Sequence, residues 1–169
     1  MSGSEELFAE LLDQLGMTGD PEMAQTPERF TSMLAEFAPT GEIPALSTFP
    51  VATSGPVVLR DLPFYSLCAH HLLPFFGTVT VVYEPSDVVA GLGGIPRVLR
   101  HFARQPQLQE RLAEQLAEEL TQQLAPKALV VRLTARQMCV EMRGAESPGT
   151  FESIARRGEV DSTLLGLLS

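Results

Sequence analysis

Apolar side chains near the start of the chain recur at helical spacing. Residues 4–15 place them three or four positions apart and end before Gly16, which predicts a first helix. Thr26-Pro27 is a helix-start signal, and the apolar face that follows it predicts a second helix. Residues 39–55 contain three Pro and two Gly without a regular period, so we expect a loop there.

After residue 55 the spacing changes to that of strands and longer helices. The predicted elements are strands at residues 57–65 and 75–83, helices at 96–103 and 108–124, and one long strand or a tight strand pair at 127–143. This order predicts an α+β fold with an antiparallel sheet, preceded by N-terminal helices. We expect a single domain overall, with an N-terminal helical segment and loop at residues 1–55 and the main domain at 56–169.

Composition and charge narrow the class of protein. The chain has 169 residues, of which 44% are hydrophobic and 20% charged, as in an ordinary globular protein. It has no apolar run long enough to cross a membrane and no basic, signal-like start, so we expect a cytoplasmic protein without a membrane partner. A net charge of −9 argues against nucleic-acid binding and requires a local Arg or Lys cluster for any anionic substrate.

Cys and His are concentrated in two short clusters. The chain has two Cys and three His, and all but His101 lie in Cys68-Ala69-His70-His71 or at Cys139. Thiolate and imidazole are ligands that Zn²⁺ prefers, and three of them leave a fourth position open, as in a catalytic zinc site. Spacing alone leaves a second interpretation open, in which the two cysteines are small buried apolar side chains.

Strand periodicity predicts what faces the second cysteine. If residues 127–143 are extended, Gln137, Cys139, Glu141 and Arg143 share one face of the strand. A metal ligand and a cation would then face the same pocket. The alternative is that Arg143 is a solvated side chain at a strand end. His101 lies in the predicted helix 96–103 and is interpreted as a surface or interface residue.

Several ordered motifs together resemble the GTP cyclohydrolase I family. They are FYSLCAHHLLPFFGTVTVVYEP at 64–85, GLGGIPRVLRHFARQPQLQERL at 91–112, QMCVEMRG at 137–144 and TPERF at 26–30. The resemblance implies a tunnelling fold: a four-stranded antiparallel sheet with two helices on one side. It also implies homo-oligomers, as a decamer of two pentamers, with active sites at subunit interfaces.

The resemblance further implies a reaction and a set of site residues. The family converts GTP to 7,8-dihydroneopterin triphosphate and formate at a bound Zn²⁺. The implied roles are zinc ligands at Cys68, His71 and Cys139, an acid/base at His70, contacts to the guanine edge at Glu110 and Gln109, and triphosphate contacts at Arg97, Arg143 and Arg29. The other interpretation of Glu110 is a solvated residue early in a helix, where Glu is common.

The chain departs from the family pattern at the proton relay and the phosphate contacts. Gln137 stands where the family usually has His, and Gln cannot exchange a proton near neutral pH. Ala69 replaces a usual Glu, and the segment after the Arg-Gly motif becomes Thr150-Phe151-Glu152-Ser153. Ser32 and Gly94 replace two usual Lys.

These departures predict a divergent member or paralogue. The leading hypothesis is a zinc-dependent, ring-opening hydrolase of a GTP-like purine nucleotide, which Gln137 could restrict to the first hydrolysis. A second hypothesis is a catalytically weak or inactive paralogue with a binding or regulatory role. A third is a zinc hydrolase acting on another purine with fewer phosphates.

Overall fold

The computed structural model describes residues 2–38, 41–52 and 55–168, and these form an α+β protein. The chain divides into two units, Met1–Ala38 and Pro39–Ser169. That boundary lies earlier in the chain than residue 55, where the sequence placed the end of the N-terminal segment. Among the described residues, no helix combines the length and apolar character needed to span a bilayer.

The N-terminal unit contains the two helices that the sequence predicts, α1 (Gly3–Gln14) and α2 (Thr26–Ala35), with a short 3-10 helix (Pro21–Met23) between them. A capping box starts α1, because the side chains of Ser2 and Glu5 each bond the other residue's backbone N–H. Phe8 and Phe30 stack with ring centroids 4.2 Å apart, which joins the two helices.

The second unit is built around a five-stranded sheet. Its elements are β1 (Thr48–Pro50), β2 (Val57–Cys68), β3 (Pro74–Glu84), β4 (Val88–Ala90), α3 (Gly94–Ala103), β5 (Pro106–Gln107), α4 (Gln109–Leu124), β6 (Ala128–Gln137), α5 (Met138–Glu141), β7 (Phe151–Gly158) and α6 (Ser162–Gly166). The strand order is β5-β2-β3-β6-β7, and β1 pairs with β4 separately. Four long strands are antiparallel, as expected, but the two-residue β5 adds a parallel edge strand beside β2.

One face of the sheet packs against α3 and α4. Val79, Val81 and Tyr83 alternate along β3 and are completely buried, as are Leu112 and Leu116 on α4. On the other face, α6 covers one end of the sheet, where Leu164 and Leu168 pack near Val82 and Val130. The candidate metal ligands lie near the opposite end of β3, beside the turn that connects β2 to β3.

The strand predicted at residues 127–143 was wrong in its second half. β6 ends at Gln137, which pairs with Phe75, and α5 follows as a single helical turn. The ladder stops here because β3 begins at Pro74, which has no N–H to donate, and β7 begins at Phe151 opposite Ala135.

The residues expected to share one strand face are therefore separated. Cys139 and Glu141 lie on the helical turn, and Arg143 follows it. Glu141 accepts a hydrogen bond from Arg136 Nε at 3.0 Å, which ties the turn back to β6. On the side away from β3, β6 pairs with β7. The sequence did not predict the strand β7.

Replacing Leu116 with Ala should destabilise the second unit by about 2–5 kcal/mol, because the truncation leaves a cavity in fully buried packing between α4 and the sheet. The measurement is urea unfolding followed by circular dichroism. Leu92→Ala is the matched control, since Leu92 is 80% exposed. An unfolding midpoint for Leu116→Ala equal to that of the control would contradict this account of the core.

Candidate metal centre

A tight turn between β2 and β3 carries the first candidate ligands. The Cys68 N–H donates to Leu73 O at 2.8 Å, and the Leu72 N–H donates to Cys68 O at 2.8 Å. Leu72 has a φ of +54°, a left-handed conformation that a Leu adopts only when its surroundings require it. The Ala69 N–H donates to Gln107 O at 2.9 Å, which ties the turn to β5. The turn therefore has a defined shape that brings His71 back towards Cys68.

The structure brings the three predicted metal ligands together. The ligand atoms of Cys68, His71 and Cys139 all lie within 4.8 Å of one another. Ligands of a tetrahedral zinc ion are about 3.5–3.8 Å apart, so small side-chain adjustments would fit one ion. Two sulfurs and one imidazole suit zinc-type chemistry. Cys68 is buried, Cys139 is half-buried and His71 is exposed, so the cluster is reachable from one side.

The electrostatics of the two thiols favour a cation between them. Burial raises the pKa of the Cys139 thiol, and its hydrogen bond to Cys68 and the neighbouring sulfur raise it further. Arg143 opposes this rise as the weakest contribution. Two adjacent thiolates are costly in a partly buried site unless a divalent cation offsets their charge. The pair is thus suited to metal binding rather than to acting as a free nucleophile.

Arg143 lies at this cluster although it is not on a strand. Its Nη1 is 3.1 Å from His71 Nε2, and because guanidinium can only donate, the imidazole nitrogen accepts. His70 is exposed beside His71, with ring centroids 6.3 Å apart. A cation and a second imidazole therefore border the three candidate ligands.

The two glutamines of the predicted site contact each other. Gln137 Nε2 donates to Gln109 Oε1 at 2.8 Å. Gln109 is only 4% exposed, and its Nε2 donates to Phe151 O at 2.8 Å and Leu133 O at 3.3 Å. Glu110, the next residue on α4, is exposed in the first turn of the helix, where the helix dipole favours a carboxylate.

The remaining predicted phosphate contacts lie elsewhere in the chain. Arg97 is exposed near the start of α3. Arg29 belongs to α2 of the N-terminal unit, where its Nη2 donates to Gln25 Oε1 at 2.7 Å. The substrate roles of Arg97, Arg29 and Glu110 remain predictions.

Gly94, where the resemblance led us to expect a Lys, is buried at the start of α3. A Cβ built on Gly94 would lie 2.7 Å from Leu46 Cδ2, so Leu46 occupies the space that a side chain there would need. A Lys at this position would require Leu46 to move. Because Leu46 Cδ2 is the end of a flexible side chain, a rotation of Leu46 would make room for a side chain at position 94.

The sequence did not point to Gln107, which supports the turn that carries Cys68 and His71. It is completely buried and pairs with Cys68 in the parallel β5–β2 bridge. Its Nε2 donates to Phe102 O at 3.1 Å and to Gln115 Oε1 at 2.8 Å, and its Oε1 accepts from Leu108 N–H at 3.1 Å. A two-residue strand has no periodic signal in the sequence, so this role was not predictable from spacing.

Comparison with known proteins places this site in a family. Residues 4–163 match the GTP cyclohydrolase I family. GTP cyclohydrolase 1 of Lactiplantibacillus plantarum is 42% identical over 151 residues, covering 86% of this chain and 80% of that protein. The chain belongs to the GTP cyclohydrolase I family. GTP cyclohydrolase 1 of Streptococcus thermophilus is 40% identical over 160 residues, covering 90% of this chain and 86% of that protein.

A solved structure supports the fold. The crystal structure of the archaeosine synthase QueF-Like in the apo form aligns with a TM-score of 0.50 at 21% identity, covering 64% of this chain and 99% of that one. At this identity the likeness concerns the fold alone. The membership in the GTP cyclohydrolase I family rests on the sequence matches.

Cys139→Ser should lower Zn²⁺ affinity more than about 100-fold, because Cys139 would be a ligand itself. Even the loss of a residue that only orients a metal ligand typically lowers metal affinity about 10–100-fold. The measurement is competition with a chromophoric chelator at fixed pH. His101→Ala is the control, since His101 is not among the three candidate ligands. Equal affinities for the wild-type protein and Cys139→Ser would exclude this cysteine as a ligand.

Zn²⁺ affinity should increase as pH rises through the neutral range. The raised pKa of Cys139 means that its thiol is protonated there, so binding must release a proton. Isothermal titration calorimetry in buffers of different ionisation enthalpy measures the number of protons released. A pH-independent affinity with no proton release would show that no thiol is a ligand.

Proposed function

We propose that this chain is a zinc-dependent hydrolase that opens the imidazole ring of a GTP-like purine nucleotide. The reaction class is that of GTP cyclohydrolase I, which forms 7,8-dihydroneopterin triphosphate and formate. The observation that carries the proposal is the Cys68–His71–Cys139 cluster in a chain of this family. We further propose that Gln137 restricts the chain to the first hydrolysis.

Each group at the cluster has a role in this proposal. Cys68, His71 and Cys139 would hold Zn²⁺, which supplies Lewis acidity and lowers the pKa of bound water to about 7. His70 is exposed beside the ligands and would exchange protons with the substrate, as imidazole commonly does in general acid–base catalysis. In this proposal the metal would activate water, and one imidazole would transfer protons.

Substrate binding in this proposal relies on local charge. Glu110 would accept the paired N–H groups of the guanine edge, as carboxylates do for planar paired donors. Arg143, Arg97 and Arg29 would bind the phosphates through bidentate contacts. Arg143 is supported by its position 3.1 Å from His71, which places a cation at the cluster despite the net charge of −9.

The chemistry of the Gln137 amide is the reason for proposing that the reaction stops after the first ring opening. It has no proton to exchange near neutral pH, and its Nε2 already donates to Gln109. General acid–base assistance contributes about 10²–10⁴-fold to a proton-transfer step. The later steps need repeated proton transfers, so the formamidopyrimidine formed by the first ring opening should accumulate.

We also propose assembly into a homo-oligomer, a decamer of two pentamers with the tunnelling fold. Within the described sheet, β7 lies at one edge, and β2 is covered at the other edge only beside β5. Unpaired strand edges of this length favour pairing with further copies. Two free cysteines are consistent with a reducing, cytoplasmic location.

The absence of a cationic side chain at Gly94, where the family pattern leads us to expect a Lys, favours a second candidate. A weaker phosphate site fits a zinc hydrolase of a purine with fewer phosphates, or a catalytically weak paralogue that binds a purine.

The test is mass spectrometry of products formed from GTP, GMP and guanosine by the zinc-loaded protein. We expect a formamidopyrimidine from GTP, and Gln137→His should raise formation of the pterin by about 10²-fold or more because it restores a proton relay. Cys68→Ser is the control that should abolish both products. Unchanged GTP in the wild type and in Gln137→His would overturn the proposed function, and turnover of GMP alone would support the second candidate.

A further inference from the structure

The amide of Gln109 has a fixed orientation. It lies at the first helical position of α4, 4% exposed, and its Nε2 donates to Leu133 O on β6 and Phe151 O on β7. Both N–H groups are used, so a flip of the amide would set its oxygen against two backbone carbonyls and lose both bonds. The Oε1 atom of Gln109 is therefore held as an acceptor facing Gln137.

This orientation determines how Gln137 can present its own amide. Only a donor can pair with Gln109 Oε1, and Gln137 Nε2 occupies that position at 2.8 Å. The Oε1 atom of Gln137 accepts no hydrogen bond from the described residues. Gln137 occupies the N-cap position of the helical turn that carries Cys139, without a side-chain capping bond, and pairs with Phe75, one residue after the start of β3. It therefore lies at the end of the sheet where the metal cluster lies, two positions before Cys139.

We propose that Gln109 is a positioning residue that fixes the amide polarity of Gln137, so that position 137 offers the metal centre a neutral hydrogen-bond acceptor. This inference rests on the proposed function, because the acceptor would serve an N–H or O–H donor of the purine or of water in that site. Gln109 acts through Gln137, while Glu110 beside it remains free to contact the base.

The first test is the side-chain amide of Gln137 in the ¹H–¹⁵N spectrum of the zinc-loaded protein, identified as the signal pair that Gln137→Met removes. We expect one of its protons to exchange with solvent at least about 10-fold more slowly than those of an exposed Gln, because it donates to a buried acceptor. Gln109→Met should remove this protection. Free exchange of both Gln137 amide protons in the wild type would overturn the proposal.

The second test is a double-mutant cycle on turnover and substrate binding. Gln109→Met, Gln137→Met and the double variant should each lower kcat by the same factor of about 3–10, since one hydrogen bond orients the amide. Stability should separate them, because Gln109→Met and the double variant lose the two backbone contacts, whereas Gln137→Met keeps them. Equal losses in kcat with unequal urea midpoints are the expected signature of positioning.

Gln122→Met is the matched control. Gln122 also lies on α4, but it is exposed and its Nε2 donates to Glu118 Oε1 at 3.0 Å, away from the cluster. It should leave kcat and the Gln137 signal unchanged. A double variant whose loss in kcat equals the product of the single losses would overturn the proposal. If the wild type opens no purine ring, the proposed function fails, while the amide exchange still decides whether Gln109 orients Gln137.

Discussion

The pairing of β3 with both β2 and β6 is the constraint on which the site depends. Leu67 lies opposite Pro74 on one side, and Phe75 lies opposite Gln137 on the other. The turn with Cys68 and His71 and the turn with Cys139 therefore meet at the same end of one strand. Buried Val79 and Val81 specify this register, because a slip by one residue would turn them out of the core. Two clusters far apart in sequence become one centre through apolar packing, and Cys68 is itself part of that buried core.

The sequence predicted the features that depend on local periodicity or residue chemistry. The leucine spacing predicted α4 to within one residue of its observed start, and the residue types predicted the three members of the metal cluster. It failed at the end of β6, where alternating polarity continues through Arg143 although the strand stops at Gln137. Strand length there is set by where β3 and β7 begin, which is information that residues 137–143 do not contain.

The Gln109–Gln137 contact was hidden for a similar reason. Both residues were singled out by motif, each as a separate member of the site. Their mutual hydrogen bond depends on α4 starting over the carbonyls of Leu133 and Phe151, which belong to two different strands. Only the packed structure shows that Gln109 uses both of its N–H groups on backbone carbonyls and thereby presents its oxygen to Gln137.

We infer departures from the family pattern at Gln137 and at Gly94, and the surroundings of each show what a replacement side chain would meet. An imidazole at position 137 could donate one N–H to Gln109 Oε1 and keep its second nitrogen for proton exchange, so the surroundings of Gln137 remain compatible with a relay. At Gly94 an added Cβ would lie 2.7 Å from Leu46 Cδ2, which is the end of a flexible side chain that can turn aside. The surroundings of neither position therefore exclude the residue that the family pattern leads us to expect there.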